Sequence, residues 1–147
     1  MTEIPNEQEQ IRAVIDNWAR AMRAKDAAGV LSHYAPAAVK FILAPPLQYT
    51  STNPFDKKSL EQWFSSFQGP IEYENRDFNI AASNDVAFCH SLNRMKATTA
   101  NGAQVDLWFR QTLGLLKIDG AWKIAHEHSS VPFYMDGSFK AAVDLKP

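Results

Sequence analysis

The sequence predicts an α+β fold, with three helices preceding an antiparallel sheet. Apolar residues recur at helical spacing as far as Phe67, and after Pro70 the pattern changes to strand alternation. Turn signals at Ser83-Asn84-Asp85, Asn101-Gly102 and Asp119-Gly120 then join four consecutive strands. Helices followed by hairpin-linked strands give an antiparallel sheet covered on one face by the helices.

Asn6 is an N-cap, and Glu9 stands three residues later, where a capping-box acid reaches back. Ile11, Val14, Ile15, Trp18, Ala19 and Met22 make one stripe, so the first helix spans about 7–25. Asp26 caps a second helix over 27–34, and Pro36 stops it. Residues 39–43 form a short strand. The proline-bearing stretch 44–55 is read as a surface loop, with a lid as the other option. Asp56 or Ser59 opens a third helix with Leu60, Trp63, Phe64 and Phe67 on its stripe, and Gly69-Pro70 closes it. Strands follow over 71–82, 86–98 and 103–118, with a last strand ending at Pro132.

At 147 residues the chain is read as one domain, 1–147. A net charge of −1 with interspersed signs excludes a nucleic-acid footprint and a polybasic membrane patch. No apolar run approaches the roughly 20 residues of a membrane span. The start, Met1-Thr2-Glu3-Ile4-Pro5, is too polar for a secretory signal. Cys89 is the single cysteine, so no intrachain disulfide forms, and a cytoplasmic protein is expected.

The last strand carries Trp122, Ile124, His126, His128 and Ser130 at alternate positions, opposite Lys123, Ala125, Glu127 and Ser129. The run Ile118-Asp119-Gly120-Ala121-Trp122-Lys123-Ile124-Ala125-His126-Glu127-His128-Ser129 resembles the ending of SnoaL-like proteins. The helix pair 13–34, broken at Asp26, fits the same resemblance. These belong to the superfamily of nuclear transport factor 2 and ketosteroid isomerase. The resemblance covers nearly the whole chain. It implies a cone-shaped curved antiparallel sheet with three N-terminal helices on the concave face, a pocket on that face, and a convex face that commonly makes a dimer. It does not fix function, because the fold hosts many chemistries. Ketosteroid isomerase needs a first-helix tyrosine and a first-strand aspartate base. Trp18 and Phe41 occupy those positions here, which disfavours a steroid-type isomerase.

Strand 103–118 places Asp106, Trp108 and Arg110 on one face and Val105, Leu107 and Phe109 on the other. The first set is assigned to the pocket. The second, apolar set is assigned to a homodimer through the convex face. A three-residue loop with Gly120 in a bulge position sets Arg110 opposite His128 and leaves no lysine inward. A two-residue turn would separate Arg110 from His128. A two-residue Asn101-Gly102 turn puts Cys89, Ser91, Asn93 and Met95 on the pocket face and His90 and Arg94 outside, with His90 ambiguous.

His126 and His128, two apart on a strand, lie about 7 Å apart on one face. They are acid–base candidates or hydrogen-bonded structural histidines. A metal bridging the pair would have Asp106 as its third ligand, but no further motif supports one, so no metal and no other cofactor is expected. Against the His pair and Asp of scytalone-dehydratase-like members, the three supply the residue types without the same spacing. Arg110 is either an anion fork or the partner of Asp106. The expected function is binding of a small organic molecule that is anionic or bears a carbonyl. Arg110, Trp108, Asn93, Trp18, Trp63 and Tyr34 would contact it, and His128, Asp106 and His126 would supply an isomerase-, cyclase- or dehydratase-type proton transfer. The alternative is a non-catalytic dimerisation or association module. Whether the protein is an enzyme stays open at this level.

Overall fold

The computed structural model describes residues 6–147; the pentapeptide read above for a secretory signal lies outside the described residues. Helix α1 spans Glu7–Arg23. The Asn6 side chain accepts from Glu9 N at 2.8 Å, and the Glu9 carboxylate accepts from Asn6 N at 3.3 Å. Lys25 then takes a left-handed φ of 55° and ends the helical path. Helix α2, Ala27–Leu31, is capped by Asp26 but stops earlier than expected, because Tyr34 already begins strand β1, Tyr34–Phe41. Pro36 therefore sits inside a strand. It is tolerated because β1 is an edge strand whose pairing is irregular between Tyr34 and Val39. Helix α3, Lys57–Ser65, is capped by Asp56.

The remaining strands are β2 Phe67–Ala82, β3 Val86–Thr99, β4 Gln104–Ile118 and β5 Ala121–Ser130. Gly69 and Pro70, expected to close the third helix, lie within β2 at a register irregularity. Among the described residues the five strands form one curved, unclosed sheet in the order β1-β5-β4-β3-β2. The antiparallel meander β2–β5 is as expected. The addition is β1, which joins the free edge of β5 in parallel.

Two of the three hairpin loops differ from expectation by one residue. Asp119 and Gly120 have φ of 50° and 81°, and Ile118 pairs with Ala121, so this loop has two residues. The extra residue comes further along β5, where the register shifts between Ile124 and His126 and leaves Ala125 unpaired. Trp122 and Ile124 face the core before this bulge. After it, Glu127 and Ser129 face inward, and His126 and His128 point out. Arg110 and His128 do share a face, but it is the outer one. At the other of these two hairpins Thr99 N donates to Ala103 O at 2.8 Å across three loop residues. That change of parity sets Asn93 beside Phe109 rather than Arg110.

The faces of β4 are thus opposite to those expected. Val105, Leu107 and Phe109, assigned to a dimer face, turn toward the helices; Asp106, Trp108 and Arg110 turn away. Burial explains the choice. The α1 stripe Ile11, Ile15, Trp18 and Met22 needs an apolar sheet face. Desolvating Asp106 and Arg110 would cost on the order of several kcal/mol per ion. On the outer face Asp106 takes a bidentate pair from Arg94, both contacts 2.8 Å. Trp108 lies beneath Arg76 and Arg94, whose guanidinium carbons are 4.7 and 5.7 Å from its ring centre.

A buried polar cluster around Asn93 interrupts the apolar core. Asn93 is 0% exposed, and its amide donates to Tyr73 OH at 2.7 Å and to Gln111 Oε1 at 2.9 Å. Its oxygen accepts from Ser91 Oγ at 2.6 Å and from Asn75 Nδ2 at 3.3 Å. The amide is satisfied on all sides, and a group of this kind costs about 1–3 kcal/mol when a partner is removed. The tail folds back on itself, with Phe133 bridged to Ala141 and Ala142 buried. Its end carries Lys146 close enough to influence Asp106 on the outer face.

Candidate functional site

The helices and the inner sheet face line a cavity of about 400 Å³ that opens to solvent. That lies toward the lower end of the ~300–1,000 Å³ range of small-molecule sites. Trp18 and Met22 from α1, Trp63 from α3, and Leu107 and Phe109 from β4 give it an apolar wall. The long loop contributes as well. Tyr49 and Phe55 line the cavity with rings 5.3 Å apart, and Tyr49 pairs through its backbone with Lys40.

Polar groups gather on Tyr34, Lys40, Gln111, Glu127 and Ser129. Lys40 and Glu127 are register partners on β1 and β5, so both face the cavity. The Tyr34 hydroxyl donates a short hydrogen bond to Glu127 Oε1, and Trp18 Nε1 donates to the Tyr34 oxygen at 3.1 Å. Lys40 Nζ lies 3.7 Å above the centre of the Tyr34 ring. Behind Glu127, Gln111 links to Ser129 at 3.4 Å and to the Asn93 cluster.

Burial raises the Glu127 carboxyl above the ordinary value; the Tyr34 hydrogen bond and the Lys40 charge oppose this. Burial lowers the Lys40 ammonium, against the pull of Glu127. Burial and then the Glu127 charge raise the Tyr34 phenol well above its usual range, so Tyr34 stays a donor. A carboxyl whose proton is easier to keep and an amine whose proton is easier to lose, within one apolar cavity, are suited to proton transfer. Burial alone pushes the Cys89 thiol up to about 12, which makes it an inert core residue.

The profile of the SnoaL-like domain matches residues 11–134. The chain belongs to the SnoaL-like family. No curated protein matches it. Among solved structures this SnoaL-like chain is similar to an NTF2-like protein of unknown function from Pseudomonas putida. The two are 32% identical with a TM-score of 0.81, over 93% of this chain and 94% of the other. A candidate scytalone dehydratase from Novosphingobium aromaticivorans shares the fold at 15% identity and TM-score 0.76, covering 95% of each chain. So does a candidate calcium/calmodulin-dependent protein kinase II association domain from Xanthomonas campestris, at 22% identity and TM-score 0.72, covering 88% and 91%.

Within this SnoaL-like fold, Trp18, Trp63 and Tyr34 stand on the cavity wall. Asn93 lies behind it, bonded to the lining residues Tyr73 and Gln111. Asp106, Trp108, Arg110, His126 and His128 are on the outer face and are not brought to the cavity. His126 Nδ1 bonds Val39 O at 2.8 Å, and Phe41 packs edge-on against both imidazoles at 4.8 and 5.4 Å. On β1, Lys40 rather than Phe41 joins Tyr34 in facing the cavity. Neither Lys40 nor Glu127 is assigned to the site from the sequence. Lys40 could have been noticed as the one charge inside the apolar run Val39-Lys40-Phe41-Ile42-Leu43. Glu127 was noticed but sent outward, because a bulge has no signature in that strand.

A raised native carboxyl pKa gives Glu127 a stability contribution that is complete below its unfolded pKa and lost as pH rises through the native one. The Glu127→Gln variant lacks that loss. Its melting temperature minus that of the wild type is expected to rise between pH 4 and pH 7. A difference that stays flat or falls would show that Glu127 is not a desolvated carboxyl. Taking the difference removes the opposite trend of Asp56, Asp106 and Asp136, whose carboxyls are lowered.

Proposed function

We propose that this SnoaL-like protein binds a small, mainly apolar organic molecule bearing a carbonyl or acidic group. The reading places it in the cytoplasm and gives it an acid–base step of isomerase, cyclase or dehydratase type. Glu127 moves the proton. Tyr34 holds one carboxylate oxygen, and Lys40 supplies the positive group facing the substrate's oxygen. The observation behind this reading is the state of Glu127. One oxygen is fixed by Tyr34, and the other has no partner among the described residues, at the polar part of an otherwise apolar cavity. A removable proton next to a carbonyl carbon needs such a base, and a position of this kind contributes about 10²–10⁴-fold.

The test has two parts. A panel of small aromatic ketones, aldehydes and carboxylates is screened by thermal shift. A ligand at about 100 times its Kd stabilises by about 2.7 kcal/mol, or roughly 5–10 °C in a domain of this size. Binders are then followed by NMR for exchange of their α-hydrogens in D₂O. Glu127→Gln is expected to keep the shift and to lose about 10²-fold or more in exchange rate. The wild-type rate should rise with pH through a carboxyl pKa above 4.5. No shift across the panel, or exchange equal in the variant, would reject the reading.

A second reading, association, has its own support. Val86, Phe88 and Leu116 are 56%, 54% and 40% exposed and adjoin on the outer sheet face. A homodimer through this patch takes the place of one through Val105, Leu107 and Phe109. Sedimentation velocity is expected to give a dimer that Phe88→Asp dissociates. A monomeric wild type would reject it.

A further inference from the structure

We infer that Lys40 captures aldehyde or ketone ligands covalently, as an imine on Nζ within the cavity. The inference rests on the carbonyl branch of the proposed function and makes Lys40 a nucleophile rather than a charge alone.

Three observations carry it. Lys40 lines the cavity and is 9% exposed, on a strand whose backbone is pinned on both sides, by β5 and by Tyr49. Its Nζ has no hydrogen-bond or ion-pair partner among the described residues, only the Tyr34 ring. Lys25, Lys117, Lys123 and Lys57 spend their ammonium groups on Phe67 O, Glu7, Ser32 O and Glu61. Lys58, Lys96, Lys140 and Lys146, which have no such partner among the described residues, are exposed where Lys40 is buried. Glu127 is its register partner on the same wall and is placed to shuttle protons. Desolvation of the ammonium also favours the free amine, while the Tyr34 ring and the Glu127 charge hold it back.

The chemistry balances without a co-reactant. The Nζ lone pair attacks the carbonyl carbon, and a C–N bond forms as the C=O π pair moves to oxygen. Glu127 carries one nitrogen proton to the alkoxide, giving the carbinolamine, and then carries the second nitrogen proton to the hydroxyl. Water then leaves as the C=N bond forms. An aldehyde and an amine thus become an imine and water, and nothing is oxidised or reduced. Once protonated, the imine withdraws electrons from the α-carbon, which would help Glu127 remove its proton.

The full chain is incubated with benzaldehyde and sodium cyanoborohydride at pH 7, and the reduced adducts are mapped by peptide mass spectrometry. Lys40 is expected to label at least about tenfold faster than exposed lysines such as Lys57 and Lys96, since the cavity holds the aldehyde against its Nζ. Benzyl alcohol, which forms no imine, is expected to slow labelling at Lys40 alone. Lys40→Met should lose that adduct while the exposed lysines still label. Labelling at Lys40 no faster than at surface lysines, in a protein that benzyl alcohol stabilises, would overturn the imine and leave the ligand reading standing. No stabilisation together with no selective label would overturn both.

Discussion

The hydrogen bond from the Tyr34 hydroxyl to the Glu127 carboxylate ties the first strand to the last across the polar part of the cavity. A buried carboxylate with no partner neutralises or is driven to solvent. One charge-assisted bond of about 1.5–3 kcal/mol, backed by the Lys40 charge, reduces that cost without removing it. The raised carboxyl and the lowered ammonium are what remains of it. Glu127 can face inward because Ala125 is extra in β5, and Lys40 faces it because β1 pairs with β5 in parallel. The proposed chemistry depends on these two features of the backbone.

The rest of the sheet sorts polarity around that exception. Apolar residues of β4 meet the helix stripe and become the cavity wall. Asp106, Arg94 and Arg76 settle their charges on the outer surface in a group that is paired and stacked over the Trp108 ring. The Asn93 cluster is the other inward polar feature, and it closes on itself. It therefore supports Tyr73 and Gln111 in the wall. A satisfied network behind a partly satisfied one separates structural polar groups from those left to meet a ligand.

Element order, caps and turn positions were legible because each has a local cause. The Asn6–Glu9 box, Asp26 and Asp56 occupy the capping positions expected. Which face of the sheet meets the helices was not legible, because it depends on loop lengths and one bulge, and each such residue reverses every side chain beyond it. The loop at Asn101-Gly102 is longer by one than expected and that at Asp119-Gly120 shorter by one. A face was also assigned to β4 by its charged residues rather than by its apolar ones, when burial favours the latter. Trp18, Trp63 and Tyr34 reached the cavity wall because helix stripes and an element start do not depend on register. Lys40 and Glu127 depend on it entirely.

The ionisation of Glu127 tests this account most directly. Its side-chain carboxyl carbon can be followed by ¹³C NMR through a pH titration and assigned by its loss in Glu127→Gln. The account predicts a midpoint above 4.5 that moves higher still in Tyr34→Phe, since the tyrosine hydrogen bond favours the ionised form. A midpoint at or below 4.5, unmoved by the tyrosine change, would place the carboxyl in water and contradict it.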